Sequence, residues 1–372
     1  MANPVSITIE YDDGTKQKLP IMKELQPAPQ KTLSVGPNGY PTLAALLPNL
    51  RDGDTATIEL DALSTGTIDL QKAVTLKATA KAVISYVGDK WGTIFRLGGK
   101  PVTLEGITLN NLPETFGVEV SGAGHVLRNI TGIGQYTTLM IRGAKNVIVD
   151  GFASPGNNQQ KIDPIYLDSG NDGVQLLNLE IALAQTGQHC IRIDTRDANQ
   201  VSKNVTIGSP DAMKKRSLIV NTGTYGGSPL NVRAGNVVRI VRVDTEGHAP
   251  GFGPLTEYVT DATGKKTPDP LFSAMHLDGL SVEDCTFHTD QVVQFQAGVR
   301  GFKFTDTTIR TTAGEVLAIQ NKWGQREPAT GEFNGCKFYG PGALLSATSA
   351  AAGVRFNSCT YNDKPLSAQG TI

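Results

Sequence analysis

The side chains best suited to chemistry recur in short segments of the form apolar–x–apolar–y, in which x and y are mostly polar. The x positions hold Glu119, Met140, Tyr166, Arg192, Asn231, His276, Gln294 and Ala318. The y positions hold Ser121, Arg142, Asp168, Asp194, Arg233, Asp278, Gln296 and Gln320. Because side chains alternate across a strand, x and y point to the same side. Stacked segments would therefore carry two outward columns, with Tyr, Arg, His and Asp concentrated in the middle.

Asp168 and Asp194 form the first candidate catalytic pair. On neighbouring strands of a stack their carboxylates would lie ~5 Å apart, which suits a retaining glycosidase. A carboxylate one strand further along, at ~9.6 Å, would approach the inverting range. The same two carboxylates could instead hold a Ca²⁺ ion, which collects oxygen ligands at ~2.4 Å. The spacing leaves glycoside hydrolysis and calcium binding open.

The columns and the residues near them also contain the side-chain types that a polysaccharide lyase needs. Cleavage by β-elimination needs a cation that neutralises the uronate carboxylate, a base for the C5 proton and an acid for the leaving oxygen. Arg192 and Arg233 could clamp the carboxylate, because a guanidinium matches it in a bidentate fork. His276 or His189 could act as the base, and Tyr166 could act as the acid.

Other side chains are candidates for substrate binding. A Gly- and Pro-rich stretch at 245–273 has no strand periodicity, and its aromatic residues could stack on sugar rings. The candidate binding residues are Arg142, Arg233, Asn231, Asp278, His189, His248, Phe252 and Tyr258. The alternative is structural: the charged members of the columns would form a ladder of surface ion pairs, each contributing ~0–1 kcal/mol.

Short strands rich in Val, Ile and Leu must position these side chains. They recur roughly every 18 to 28 residues, and a second strand type, ending in Asn, Asp or Cys, follows the x–y segments. Examples of the second type are 126–129, 147–150, 282–285 and 356–359. Two strands per ~25 residues with no helix between them exclude βαβ units. The pattern predicts an all-β fold, a single-stranded right-handed parallel β-helix of stacked coils.

The ends and one interruption complete the predicted organisation. Residues 1–35 would form a hairpin and a linker that serve attachment or oligomerisation. Residues 36–372 would form the β-helix, interrupted by the long loop 245–273. A short amphipathic helix at 41–47 would cap the first coil and cover its open strand edge.

Composition narrows the class of protein. The 372 residues carry a formal net charge of −1, so no charge excess points to nucleic acid or an anionic membrane. No apolar run approaches the ~18 residues of a membrane span, and the N-terminus lacks the regions of a signal peptide. The cysteines lack CxxC spacing, and Cys285, Cys336 and Cys359 are expected to form an interior ladder of small apolar thiols.

The stretch 40–43 (YPTL), the turn 52–54 (DGD) and the coils that follow resemble the pectate-lyase-like β-helix superfamily over residues 40 to 365. That superfamily includes polysaccharide lyases, glycoside hydrolases, epimerases and bacteriophage tailspikes. With a short N-terminal hairpin before the β-helix and no export signal, the chain is most similar to phage or prophage virion proteins. The resemblance implies a carbohydrate-active protein whose ligand lies along one face of the rod.

These observations combine into one functional prediction with two alternatives. The prediction is a tailspike-type protein, in the virion or extracellular after release, that cleaves a bacterial surface polysaccharide as a lyase or glycoside hydrolase. A non-catalytic spike or adhesin would use the same face for binding alone. A structural β-helix would bury that face in a homotrimer. The expected partners are a polysaccharide and other virion proteins, without nucleic acid, and Ca²⁺ is the one cofactor considered.

Overall fold

The computed structural model shows parallel strands stacked coil upon coil, which confirms the predicted parallel β-helix. Successive strands of each long sheet are paired in parallel, except for the antiparallel pair Thr360–Tyr361 and Lys364–Pro365 at the end of one sheet, so each coil stacks on its neighbours, as in other solenoids. The structure describes residues 6–10, 16–20, 32–37, 39–79, 82–155, 163–183, 188–195, 197–224, 226–349, 353–368 and 370.

The described strands form three long sheets, and a typical coil passes through each in turn. The site sheet consists of Ile68–Leu70, Thr93–Leu97, Phe116–Ala123, Leu139–Lys145, Ile165–Leu167, Ile191–Ile193, Leu230–Val232, Gly251–Phe252, Val293–Phe295, Glu315–Ile319 and Ala343–Leu345. The second sheet consists of Thr32–Val35, Thr55–Ile58, Thr75–Ala78, Thr103–Glu105, Val126–Arg128, Ile148–Asp150, Gln175–Leu177, Lys203–Ile207, Gly235–Val241, Leu277–Asp278, Ser281–Glu283, Val299–Arg300, Phe302–Thr305, Gly331–Asn334 and Val354–Asn357. The third sheet consists of Ala62–Ser64, Val83–Tyr86, Thr108–Asn110, Thr131–Gly132, Ala153–Ser154, Glu180–Leu183, Ser217–Asn221, Val243–Gly247, Thr286–Thr289, Thr308–Thr311, Lys337–Tyr339, Thr360–Tyr361 and Lys364–Pro365.

The third sheet corrects the prediction of two strands per coil. Its strands are short, and some are only two residues long, such as Thr131–Gly132 and Ala153–Ser154. Segments of this length show no period-2 apolar pattern, so the sequence signal for them is absent. These segments are strands because they form hydrogen bonds to the neighbouring coils. The sequence of one segment alone does not reveal such bonds.

The interior changes character along the rod. One ladder on the second sheet runs through Leu127, Val149, Leu176, Ile207, Ile240, Val282, Phe304, Phe333 and Phe356. The ring centroids of Phe304 and Phe333 are 5.1 Å apart, as are those of Phe333 and Phe356. These distances are typical of favourable aromatic pairs. Along this ladder, aliphatic side chains lie in the earlier coils and phenylalanine rings lie in the later ones.

A single left-handed residue turns the chain from the second sheet to the third sheet. The residues with positive φ at this corner are Gly106, Asn129, Gly151, Asn178, Gly208, Arg242, Asp284, Asp306, Gly335 and Ser358. Gly and Asn adopt this conformation at low cost, and Asp does so more readily than most residues. The corner therefore explains why the second strand type is followed by Gly, Asn or Asp in the sequence.

The N-terminal hairpin is present as predicted. Strand Ser6–Glu10 pairs antiparallel with Lys16–Pro20. Strand Thr32–Val35 pairs in parallel with Thr55–Ile58 at the end of the second sheet. The first strand of the β-helix therefore lies inside residues 1–35, in the part predicted to be a linker.

The predicted capping helix is also present, although it is short. It spans Leu43–Leu46, and the Thr42 hydroxyl accepts a hydrogen bond from the Ala45 backbone at its N-terminus. Both leucines are buried in the core, and a 3₁₀ turn, Leu47–Asn49, follows. No helix in the described part of the chain is long and apolar enough to cross a membrane.

The long loop predicted at 245–273 is shorter than its sequence suggested. Thr245 belongs to the third-sheet strand Val243–Gly247, and Gly251–Phe252 is a strand of the site sheet. The excursion from the rod therefore covers residues 253–276. It contains a hairpin of Tyr258–Thr260 and Lys266–Pro268 and a helical turn, Pro270–Ser273.

The predicted cysteine ladder is confirmed with one interruption. Cys285, Cys336 and Cys359 each precede a third-sheet strand at the same position, and Thr307 occupies that position between the first two. All four cysteines, including Cys190, are buried and free. Burial raises the pKa of Cys285 to about 12, so this thiol stays protonated and apolar.

Candidate functional site

The predicted x column exists along the site sheet, with one coil assigned wrongly and with Met140 buried. On successive strands the x column runs through Glu119, Met140, Tyr166, Arg192, Asn231, Gly251, Gln294 and Ala318. Gly251 occupies the position that was predicted for His276. The two-residue strand Gly251–Phe252 has no apolar–x–apolar pattern, whereas Met275-His276-Leu277 has one, so the pattern selected the wrong segment.

His276 and Asp278 lie outside the columns. Strand Leu277–Asp278 pairs within the second sheet, and both carboxylate oxygens of Asp278 accept from Arg300, at 2.6 and 2.7 Å. Burial lowers the pKa of His276, and its Nδ1 is buried without a hydrogen-bond partner among the described residues. The predicted places of His276 and Asp278 in the columns of the site sheet are therefore wrong, since His276 precedes and Asp278 ends a strand of the second sheet.

A buried cluster of two carboxyl groups and two guanidinium groups occupies the middle of the site sheet. Arg192 donates from Nε to Asp194 Oδ2 at 3.1 Å, and its Nη1 lies 3.6 Å from Asp163 Oδ2. Arg233 Nη1 donates to the same oxygen of Asp194 at 3.0 Å. The other oxygen of Asp194 accepts from the Thr195 backbone at 2.8 Å. The Arg192 guanidinium thus bridges the two carboxyl groups.

Asp163 was missed by the sequence analysis. Its side chain is 1% exposed, and burial raises its pKa to about 6 although Arg192 opposes the shift. Oδ1 accepts from the His189 backbone at 2.9 Å, whereas Oδ2 has no hydrogen-bond partner in the described structure. Asp163 precedes strand Ile165–Leu167 and has no place in the apolar–x–apolar–y pattern. The available signal was an Asp-Pro dipeptide directly before a candidate strand.

His189 lies in the cluster but is poorly suited to the predicted role of base. Burial, with help from Arg233 and Arg192, lowers its pKa to about 3. Its Nδ1 accepts from the Ser228 backbone at 2.9 Å, and Nε2 faces Arg233 at 3.4 Å. The ring is therefore neutral at physiological pH, with one lone pair already engaged and a guanidinium against its other nitrogen.

Tyr166 and Asn231 orient the two arginines. The Arg192 guanidinium lies 4.8 Å from the centroid of the Tyr166 ring, within the range of a cation–π contact. Burial raises the pKa of Tyr166 to about 12, so the phenol keeps its proton at neutral pH. Asn231 Oδ1 accepts from Arg233 Nε at 2.7 Å. The geometry favours a positioning role for Tyr166 over that of the leaving-group acid.

Asp168 bonds to partners other than those of Asp194. Arg142 Nε donates to Asp168 Oδ2 at 2.7 Å, and the backbone and hydroxyl of Ser169 donate to Oδ1 at 2.8 and 3.0 Å. This pair matches the ion-pair alternative, because Arg142 is exposed. Among the described residues no group of three or more His, Cys, Asp or Glu side chains is arranged to hold a metal ion. The Ca²⁺ site considered for Asp168 and Asp194 is thus without a third protein ligand of these types.

An aromatic cleft lies on one side of the buried cluster. It has a volume of about 250 Å³, and Asp163 and Arg192 contribute to its lining. The other side chains that line it include Trp91, Phe116, Tyr136, Met140 and Tyr166. The centroids of the Trp91, Phe116 and Tyr136 rings are 5.7 to 6.5 Å apart. Sequence analysis missed these three aromatic residues because they precede or begin strands, outside the x and y positions.

An amide cleft lies on the other side of the cluster. It has a volume of about 210 Å³, and Asn231 and Arg233 line it where it adjoins the cluster. Its other polar side chains include Gln291, Gln294 and Gln296, and the start of the excursion forms an apolar wall. Six strand spacings of ~4.8 Å separate the strands of Phe116 and Gln294, so the two clefts extend along about 29 Å of the rod.

Phe252 was predicted to stack on sugar, and this prediction is wrong. Its side chain is fully buried, and its ring centroid lies 5.4 Å from that of Phe295 in the core. Because Phe252 ends a strand of the site sheet, its ring points inward. Tyr258, by contrast, is half exposed on the excursion, where it packs edge-on against Trp323.

His248 lies beside the amide cleft and is fully engaged with protein atoms. Its Nε2 is 2.7 Å from the Gly223 carbonyl oxygen, and its Nδ1 is 3.0 Å from Asp290 Oδ1. The Gln291 amide, which lines the cleft, is 3.2 Å from the same Nδ1. His248 therefore positions the rim of the cleft.

Comparisons with known proteins support the fold. No protein-family model and no curated protein matches the sequence. The structure is similar to that of PfbA, a surface adhesin of Streptococcus pneumoniae, with a TM-score of 0.51 and 11% identity over 88% of this chain and 87% of that chain. The catalytic domain of a GH87 alpha-1,3-glucanase (TM-score 0.44, 12% identity, 90% and 69% covered) and the A-module of the Azotobacter vinelandii mannuronan C-5 epimerase AlgE6 (0.44, 13%, 83% and 85%) align less well. At these identities the likeness concerns the fold alone.

The site places a proton donor beside a carboxylate that is bonded to two arginines. Asp163 is a carboxyl group whose raised pKa keeps part of it protonated near neutral pH, and it lines the aromatic cleft. Asp194 Oδ2 is bonded to the guanidinium groups of Arg192 and Arg233. A carboxyl group with a raised pKa at the wall of a cleft is suited to general acid chemistry.

Proposed function

We propose that the protein binds an extended polysaccharide along the two clefts and cleaves it by glycoside hydrolysis, with Asp163 as the proton donor. The observation that carries the proposal is the position of Asp163, a buried carboxyl group with a raised pKa between a cleft of aromatic rings and a cleft of amides. Aromatic rings suit the apolar faces of sugars, and amides suit their hydroxyl groups. A carboxyl group with a pKa near 6 suits a glycosidase acid.

The same geometry argues against the lyase mechanism. A lyase needs a cation free to neutralise a uronate, but Arg192 and Arg233 are both bonded to Asp194. It also needs a base, and the low pKa and engaged Nδ1 of His189 leave it unfit to take a proton. Hydrolysis needs a proton donor, and the raised pKa of Asp163 suits it to that role.

A non-catalytic binder, such as a spike or adhesin, is the second candidate. The observation that favours it is the saturation of Asp194, whose two oxygens already accept from Arg192, Arg233 and the Thr195 backbone. A base that activates water needs a free lone pair. On this alternative the groove holds the glycan and Asp163 contributes a neutral hydrogen bond.

The test is an assay of the purified protein against a panel of bacterial capsular and surface polysaccharides. New reducing ends are expected with the wild type, without the ultraviolet absorbance of unsaturated sugars. Asp163→Asn should lower the rate roughly 10²- to 10⁴-fold while polysaccharide binding persists. The matched control is Asp278→Asn, which changes a carboxylate of the second sheet that is paired with Arg300. Full activity in Asp163→Asn would refute the assignment, unsaturated products would restore the lyase, and binding without products would favour the adhesin.

We further propose that this activity belongs to a tailspike-type protein of the pectate-lyase-like superfamily, located in the virion or released from it. The support is the predicted combination of an N-terminal hairpin, which the structure contains, with a β-helix that carries the groove. Tail and baseplate genes beside its gene, and a trimer in solution by light scattering, are the expected observations. A stable monomer would contradict the trimer.

A further inference from the structure

Arg326 is a buried cation that pairs with no carboxylate in the part of the chain that the structure describes. Its side chain is fully buried, and Nε and Nη1 have no hydrogen-bond partner among the residues that the structure describes. The adjacent carboxylate, Glu327, pairs with Lys322 instead. Burial lowers the pKa of Arg326 to about 10. Because an unpaired buried cation costs folding free energy, stability alone gives no reason for an arginine here.

The contacts of Arg326 hold the excursion 253–276 against the rod. Its Nη2 donates to the Leu255 carbonyl oxygen at 2.8 Å, and its guanidinium lies 4.2 Å from the centroid of the Trp323 ring. Trp323 packs edge-on against Tyr258, with ring centroids 5.5 Å apart. Trp323 and Arg326 close a tight turn, so the hydrogen bond, the stacked guanidinium and the aromatic pair act as one anchor.

The rod makes room for this side chain. A Cβ at Gly298 would lie 2.7 Å from Arg326 Cδ and 3.1 Å from its Cγ, and Gly298 also has a φ of 90°. Only glycine accommodates both the close approach and this backbone conformation without strain. Gly298, in the neighbouring coil, therefore leaves the space through which the Arg326 side chain reaches Leu255.

The bond to Leu255 links Arg326 to the candidate site. Pro254, Leu255 and Thr256 line the amide cleft together with Gln294 and Gln296. We propose that Arg326 is a positioning residue, which fixes this wall and thereby determines the affinity of the groove for chains long enough to reach the amide cleft. The inference rests on the proposed function, because it assigns a specificity role within the same groove.

Oligosaccharides of increasing length are prepared from a polysaccharide that the wild type binds. The test measures the affinity of the Arg326→Met variant for each of them. Met fills a similar volume without the charge or the donor. Long oligosaccharides that span both clefts should bind at least about tenfold more weakly, and short ones that fill the aromatic cleft should bind as in the wild type. The melting temperature should stay unchanged or rise, because an unpaired charge has been removed. The matched control is Arg310→Met, whose guanidinium also lies 4.2 Å from an aromatic centroid, that of Tyr339, away from the groove.

Hydrogen exchange without ligand provides a readout that is independent of the proposed function. In Arg326→Met, and in Arg326→Lys if the first variant does not fold, exchange should rise in residues 253–276 and stay unchanged in the coils. Unchanged exchange, or equal loss of affinity for short and long oligosaccharides, would overturn the positioning role. If no polysaccharide binds the wild type while the excursion still loosens in the variant, the proposed function fails and the anchoring role of Arg326 stands.

Discussion

At the residue scale, Asp163 and His189 show how burial controls protonation in the candidate site. Both lie in the central cluster, and the His189 backbone donates to Asp163. Burial disfavours the charged form of each, so the acid holds its proton to higher pH and the histidine loses its proton at lower pH. Their effects on folding stability therefore have opposite signs as pH changes.

Asp163→Asn is expected to stabilise the protein at neutral pH. The pKa of Asp163 is raised from 3.8 to about 6, so the wild type loses stability as pH rises through this range. The full loss is about 3 kcal/mol by the usual linkage relation. The variant should gain up to this amount relative to the wild type between pH 4 and pH 7, measured by chemical denaturation at each pH. A constant difference across the range would show that Asp163 has an ordinary pKa.

His189→Asn should make the protein more resistant to acid. The pKa of His189 falls from 6.5 to about 3, so the wild type loses stability as pH drops below 6.5, where the unfolded chain takes up a proton first. The Asn side-chain oxygen can accept the Ser228 bond in place of Nδ1. At pH 5 the variant should lose about 2 kcal/mol less than the wild type, relative to pH 7. Parallel pH profiles of denaturation midpoint would contradict the burial of a neutral histidine.

The pH dependence of the activity should follow the protonation of Asp163. Since Asp163 acts as the acid only when protonated, the rate should fall as pH rises above about 6. Initial rates from pH 4 to pH 8, at polysaccharide concentrations well below saturation, would measure this limb of the profile for the free protein. In Asp278→Asn the rate should fall over the same pH range as in the wild type. A wild-type rate that stays constant up to pH 8 would exclude Asp163 as the acid.

At the scale of elements, the corner between the second and third sheets shows how a local conformation is repeated along the rod. Ten described residues at this corner have positive φ, and most of them are Gly, Asn or Asp. Arg242 and Ser358 are the exceptions. A side chain of an ordinary residue in this conformation costs roughly 1–2 kcal/mol. At these two corners the residue present therefore costs folding free energy that Gly or Asn would avoid.

Ser358→Asn is expected to stabilise the last coils. Ser358 is exposed with φ 53°, and Asn tolerates this conformation better than Ser. The expected gain in unfolding free energy is about 0.5–1 kcal/mol. Ser358→Val at the same position serves as the opposite control and should destabilise by about 1–2 kcal/mol, because a β-branched residue fits this region poorly. Equal stability of both variants would mean that the corner relaxes at no cost.

At the scale of the whole molecule, the contacts are almost one-dimensional. Each coil pairs with the coil before and the coil after it, from Thr32–Val35 at one end to Val354–Asn357 at the other. Among the described strands of this sheet, the two at its ends pair on one side only, and solenoids of this kind lose structure from their ends more easily than from the middle.

Thiol labelling should detect this gradient. Cys359 lies in the last coil, Cys336 in the coil before it, and Cys190 in the middle of the rod, all buried. Under native conditions an alkylating reagent should modify Cys359 first, then Cys336, and Cys190 last, as followed by mass spectrometry of the peptides. Rates divided by those of the denatured chain remove differences in intrinsic reactivity. Equal protection of all three would show that the rod unfolds as one cooperative unit.

Sequence periodicity by itself determined the β-helix, its outward columns and the residues at most of their positions. Alternation across a strand decides which side chains face outward, and the corner chemistry marks where many strands end, so local physics was sufficient. The register of Tyr166, Arg192 and Asn231 followed directly from the spacing of their strands.

Only the tertiary structure decided the chemistry of the site. Asp163 and the rings of Trp91, Phe116 and Tyr136 come to the groove from outside the pattern, through turns whose path depends on neighbouring coils. The assignment of Gly251 in place of His276 also depended on pairing between coils, because hydrogen bonds between distant segments define so short a strand. Burial, which sets the pKa of Asp163 and the isolation of Arg326, arises from the whole packed rod and leaves no local signal in the sequence.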